Sequence, residues 1–202
     1  VVRNDYNTRT DKVTAAGWNT EMKLGEWKAI ADLSYSKSKR NEQILETYAG
    51  LPGSGAGSFN VDIATGSGVS QFRPNQNYAG STIVLSDPAG WGHDGLIKYP
   101  KVEDEIKSMR LSGRHALPRF FSSVEIGGDY SERTKSVNKD EYNVNLKNGR
   151  APITVPSNLL VSPTSLSYAG IPGVLSYDVM GALGSLYNLT PTGQDQTFAR
   201  HY

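Results

Sequence analysis

Residues 13–35 read VTAAGWNTEMKLGEWKAIADLSY, and their side chains alternate strictly in character. Thr14, Ala16, Trp18, Thr20, Met22 and Leu24 fall on one face of an extended chain, with Ala15, Gly17, Asn19, Glu21 and Lys23 on the other. After Gly25 and Glu26 the pattern restarts: Trp27, Ala29, Ala31, Leu33 and Tyr35 oppose Lys28, Ile30, Asp32, Ser34 and Ser36, with Ile30 the only break. Side chains of a strand point to opposite faces in turn, so two such segments joined by a short Gly-containing connection predict a β-hairpin.

Alternation returns in residues 106–115, where Ile106, Ser108, Arg110, Ser112 and Arg114 oppose Lys107, Met109, Leu111, Gly113 and His115. Val102, Ile106 and Met109 also lie at helical spacing behind acidic Glu103, Asp104 and Glu105. The surrounding strands favour the extended form. Val124, Ile126, Gly128 and Tyr130 then face Ser123, Glu125, Gly127, Asp129 and Ser131. Strands are expected at about 10–24, 27–37, 104–116 and 121–134. Between and after them, 38–103 and 135–202 are rich in Gly, Pro, Asn and Ser and read as two long loops, with a short helix in DVMGALGSLYNL (178–189).

Short turns at one end and very long connections at the other are awkward for a compact soluble domain and normal for a membrane barrel. In lipid every backbone N–H and C=O must be paired, so a sheet spans only as a closed barrel with apolar side chains outward. Glu21, Lys23, Lys28, Asp32, Arg110, Arg114, Glu125 and Asp129 share the polar faces and balance in sign. A wet lumen accommodates them, whereas a dry core would impose several kcal/mol of desolvation on each unpaired ion. Trp27 beside the short turn and Tyr35 near the far end of the same strand are placed as two interfacial girdles. The expected class is therefore all-β, an antiparallel transmembrane barrel fragment of about four strands with two long extracellular loops. A soluble antiparallel sheet with one buried face would show the same alternation.

Composition agrees. Of 202 residues 37% are hydrophobic, lean for a soluble core, and there are 21 Gly and 10 Pro. A net charge of +1 argues against nucleic acid as a partner. Cysteine is absent, which removes disulfide, thiolate-metal and Cys-nucleophile chemistry. No secretory leader opens the chain, so Val1 is expected to mark a cut within a longer protein.

The stretches AGWNTEMKLGEWKAIADLSYSKSKRNE (16–42), KVEDEIKSMRLSGRHAL (101–117), FFSSVEIGGDYSERTKS (120–136) and SYAGIPGVLSYD (167–178) resemble the barrel region of TonB-dependent outer-membrane receptors. The resemblance implies a barrel of about 22 strands closed by a plug. It also implies location in the outer membrane, contact with its lipid, and active uptake of a carbohydrate, siderophore or similar ligand, energised by the TonB complex through the plug. Neither plug nor TonB box is recognisable in 1–202. The alternatives are a soluble, secreted β-rich carbohydrate-binding or adhesin module and a passive porin; no enzyme is expected.

Trp91, His93, Asp94 and Tyr99, with Tyr48, Phe72 and Tyr78, bring rings and polar groups into the first long loop where a small molecule or oligosaccharide would arrive. The first four are the candidate ligand-binding residues. His93, His115 and His201 lack metal-ligand spacing, and neither a metal nor a cofactor is expected. GSGAG (53–57) lacks the Lys-Ser/Thr of a phosphate loop and reads as flexible loop. Ser34 with Lys37 and Ser36 with Lys39 match S-x-x-K without its companion motifs, and Asn188-Leu189-Thr190 is a chance glycosylation triplet.

Overall fold

The structure is a computed structural model and describes residues 1–52, 60–66, 68–118, 120–194 and 196–201. GSGAG (53–57) lies outside them. The chain is all-β. Four long strands, β1 (Val2–Leu24), β2 (Trp27–Gly50), β6 (Gly95–Ala116) and β7 (Ser123–Leu146), lie side by side in that order. Short strands β3 (Val61–Ala64), β4 (Gln71–Pro74), β5 (Val84–Leu85), β8 (Thr164–Leu166) and β9 (Ile171–Val174) fill the connections. β10 (Tyr187–Pro191) and β11 (Gln196–His201) both pair antiparallel to β7. The helix expected in 178–189 occupies Val179–Leu186, capped by the Asp178 carboxylate accepting from the Gly181 N–H at 3.0 Å.

The strands run well past the expected bounds. β2 continues through 38–50, β6 begins at Gly95 and β7 continues through 135–146, so neither 38–103 nor 135–202 is a continuous loop. The segments 43–50 and 95–99 carry apolar residues on both faces, such as Ile44 with Leu45 and Leu96 with Ile97, while over 36–42 and 101–105 both faces are largely polar and alternation vanishes. Cross-strand ion pairs replace it: Lys37 to Glu103 at 3.2 Å, Lys39 to Glu103 at 2.8 Å, and Arg40 to Asp11 at 2.9 Å. Arg133 adds a hydrogen bond to Asp104 at 2.8 Å. The helical alternative for 102–109 is excluded, since these residues lie within β6.

Two compact units share these strands. The first comprises Val1–Thr8, Gln43–Tyr99 and Asp140–Gln194; the second, Arg9–Glu42, Pro100–Lys139 and Asp195–Tyr202. Among the described residues every buried apolar one belongs to the first, including Leu45, Leu85, Ile97, Val144, Tyr177 and Ala182. Within that core Tyr177 Oη donates to Thr47 Oγ1 at 2.6 Å, and Thr47 in turn donates to the Asn4 carbonyl at 2.8 Å, so these two buried hydroxyls are satisfied. Gly95 starts β6 where a Cβ would stand 2.4 Å from the Glu46 carbonyl oxygen and 3.1 Å from the Val144 Cβ, so only glycine lets these backbones approach.

The second unit is a sheet with no buried residue among those described. Its two faces are those expected from sequence. On one, Trp27 packs against His115 with ring centroids 4.9 Å apart, and Met22, Ala29, Ala31, Leu111, Gly113 and Ile126 line a shared hollow. On the other, Asn19 donates to Asp32 at 2.9 Å, Lys28 pairs with Glu21 at 2.7 Å, Ser34 and Ser108 hydroxyls are bonded at 2.6 Å, and Arg114 donates to Ser123 at 3.1 Å. Trp27, Leu33, Val124 and Ile126 are not gathered into a globule; Ile126 is 69% exposed.

Candidate functional site

The connection from β5 to β6 carries three of the four candidate residues, and an ionic clamp holds it. Asp-Pro-Ala-Gly at 87–90 turns the chain, with the Gly90 N–H donating to the Asp87 carbonyl at 3.3 Å. The Asp87 carboxylate accepts from the N–H groups of Trp91 at 2.9 Å and Gly92 at 2.7 Å. Arg150 then reaches both acids, donating to Asp87 Oδ2 at 3.2 Å and to Asp94 through Nε and Nη2 at 3.0 Å each. Asp94, 1% exposed, also accepts from the Leu146 N–H at 2.8 Å. A fork-shaped guanidinium matches this bidentate geometry, and with the Leu146 N–H it leaves the buried Asp94 side chain hydrogen-bonded rather than unpaired. Burial pushes the Asp87 carboxyl up, but the two N–H groups and Arg150 outweigh it and hold it below the usual carboxylate range.

The clamp presents an indole. Trp91 is 53% exposed, meets buried Tyr48 edge-on at 4.8 Å, and lies nearly parallel to His93 at 6.4 Å between centroids. His93 is also 5.7 Å from Tyr48, and its Nδ1 is shielded from solvent without a hydrogen-bond partner among the described residues. Tyr48 donates to Glu46 at 3.2 Å; burial first and the Glu46 charge second push its phenol up to about 12, so it stays neutral. A rigid aromatic with a free face suits stacking on a flat ligand or the apolar side of a sugar ring.

The structure thus brings Trp91 and His93 together and adds Tyr48 behind them. Asp94 has its carboxylate committed to Arg150 and Leu146, and it supports the loop from beneath rather than facing a ligand. Tyr99 stands apart, edge-on to Tyr142 at 6.3 Å at the margin of the core, where burial raises its phenol. Arg150 and Asp87 were not anticipated. Arg150 ends a tight turn whose Asn148, Gly149 and Arg150 all have positive φ, and the Asn-Gly pair was the available signal.

In the second unit the apolar face is bounded by rings. Trp18 shares a hollow with Leu33 and Tyr35, while Trp27 and His115 mark the end next to the Gly25-Glu26 turn. Beyond Tyr35 the side chains are charged on both faces. Among the described residues no group of three His, Cys, Asp or Glu is disposed to hold a metal, and no helix is long and apolar enough to cross a membrane. No family model matches this chain, and comparisons with curated proteins and with solved structures return no match.

Proposed function

We propose that this chain forms part of the wall and the ligand-capturing mouth of a TonB-dependent outer-membrane receptor, which takes up a carbohydrate, siderophore or similar nutrient. The observation that carries the reading is the second unit: a sheet without a single buried residue among those described, apolar on one face and ionic on the other. Such a sheet lacks a core of its own in water, and hydrocarbon on the greasy side with a wet or plug-filled lumen on the other supplies one. Nine residues from Trp27 to Tyr35 extend ~26 Å, or ~20 Å along the membrane normal at ~40° tilt, close to the ~25 Å apolar band of such barrels. β1 is bonded on one side, to β2, among the described strands, so further strands must complete the wall for the backbone to enter lipid. Trp91 and His93, on their clamped loop, present the ligand-facing surface.

Uptake assays in cells carrying or lacking the energising complex, with the complete receptor expressed, test this; accumulation indifferent to the complex refutes active transport. The buried core of the first unit favours one competing reading, a soluble carbohydrate-binding or adhesin module. A cooperative thermal transition of the chain in detergent-free buffer would support that module instead.

A further inference from the structure

A separate cleft of about 410 Å³ opens in the first unit between β4 and the 170–173 segment, lined by Arg73, Asn75, Gln76, Asn77, Tyr78 and Pro172 among others. Its walls are built rather than loose. Asn75 and Asn60 exchange two hydrogen bonds, Asn75 N–H to the Asn60 carbonyl at 3.0 Å and Asn60 N–H to Asn75 Oδ1 at 3.2 Å. Asn77 Oδ1 accepts from the Ala79 N–H at 3.0 Å, and Gln76 Nε2 donates to the Asn77 carbonyl and to Thr82, both at 3.1 Å. The facing wall is tied on by Gln71 donating to the Tyr168 carbonyl at 2.8 Å and by the Leu175 N–H donating to the Tyr78 carbonyl at 2.9 Å. Gly170, at φ 83°, leaves no room for a Cβ, which would stand 2.6 Å from the Phe72 carbonyl oxygen.

Several donors are among the groups these internal bonds leave unmatched. Asn75 and Asn77 each have a side-chain NH₂ without a partner among the described residues, and Arg73 has neither hydrogen bond nor ion pair there. Asp62 is the residue opposite Arg73 in the β3–β4 ladder, yet the two make no salt bridge. A cleft offering two amide donors and a free guanidinium suits an acceptor-rich, anionic ligand, while Tyr78 and Pro172 supply an apolar surface for ring carbons. We infer that this cleft binds an acidic oligosaccharide, with Arg73 engaging a sugar carboxylate and the carboxamides its hydroxyls. The inference goes beyond the transport reading and does not depend on it.

Calorimetry of the full chain in detergent, with trigalacturonate and its methyl ester as probes, tests this inference. The acid is expected to bind at least tenfold more tightly than the uncharged ester. Arg73→Gln should abolish that preference, and Arg73→Lys should retain part of it, with folding of each variant checked by its thermal transition. No binding of the acid, equal binding of acid and ester, or a preference untouched by Arg73→Gln overturns the site. Energised uptake does not enter the measurement, so its failure and failure of the receptor reading are separable.

Discussion

Asp94 accepts three hydrogen bonds in a site closed to water, one from a backbone N–H and two from Arg150. Asp94→Ala strands the Leu146 donor and leaves the guanidinium with Asp87 alone, and should lower stability by about 3 kcal/mol in a urea titration, with Asp94→Asn losing less. Asp87 adds a pH dependence. Its folded carboxyl titrates below the ordinary value, so it contributes stability above that value and loses it as pH falls through the lowered one. Acid titration of Trp91 fluorescence in a Trp18→Phe, Trp27→Phe background should show the loop loosening only below the usual carboxylate range, and Asp87→Asn should remove the transition. Trp91→Ala is expected to weaken ligand capture about tenfold while leaving the melting temperature unchanged, as befits a half-exposed ring worth ~0.5–1.5 kcal/mol in stacking. Trp91 and His93 were legible as loop aromatics near turn formers. The clamp was not, because Arg150 lies 56 residues from Asp94 and no local pattern links them.

Along β7, Ile126 and Val124 share the apolar face while Glu125 and Asp129 line a polar hollow on the other. Ile126→Arg should cost about 2–4 kcal/mol of stability in bilayers if that face meets hydrocarbon, and Glu125→Arg far less. Refolding into lipid vesicles under a urea gradient distinguishes the two, and equal effects would argue against the membrane. The cores of β1, β2, β6 and β7 were readable at 13–35, 106–114 and 123–131 because one face there is greasy. Their extensions to Gly50, back to Gly95 and on to Leu146 were not, because Lys37, Lys39, Glu103 and Glu105 make both faces polar where the extensions begin, and Ile44 with Leu45 and Leu96 with Ile97 put apolar residues on both faces farther along.

At the scale of the molecule, a core-bearing unit and a coreless sheet share the same four strands. The chain has no cysteine, so single cysteines placed at successive β7 positions can carry spin labels without background. Alternate exposure to a lipid-soluble and a water-soluble relaxant over 124–131 is expected, and uniform water exposure would sink the barrel reading. The sequence by itself determined the β class and which side chains share each face of the sheet, since period-2 alternation is a local property of an extended chain. Only the tertiary structure decided how far the strands run, that the short pieces of 43–99 and 140–194 enclose a core, and that Arg150 locks the Trp91 loop. Those outcomes depend on partners distant in sequence, and a window along the chain carries no record of which distant residues will meet.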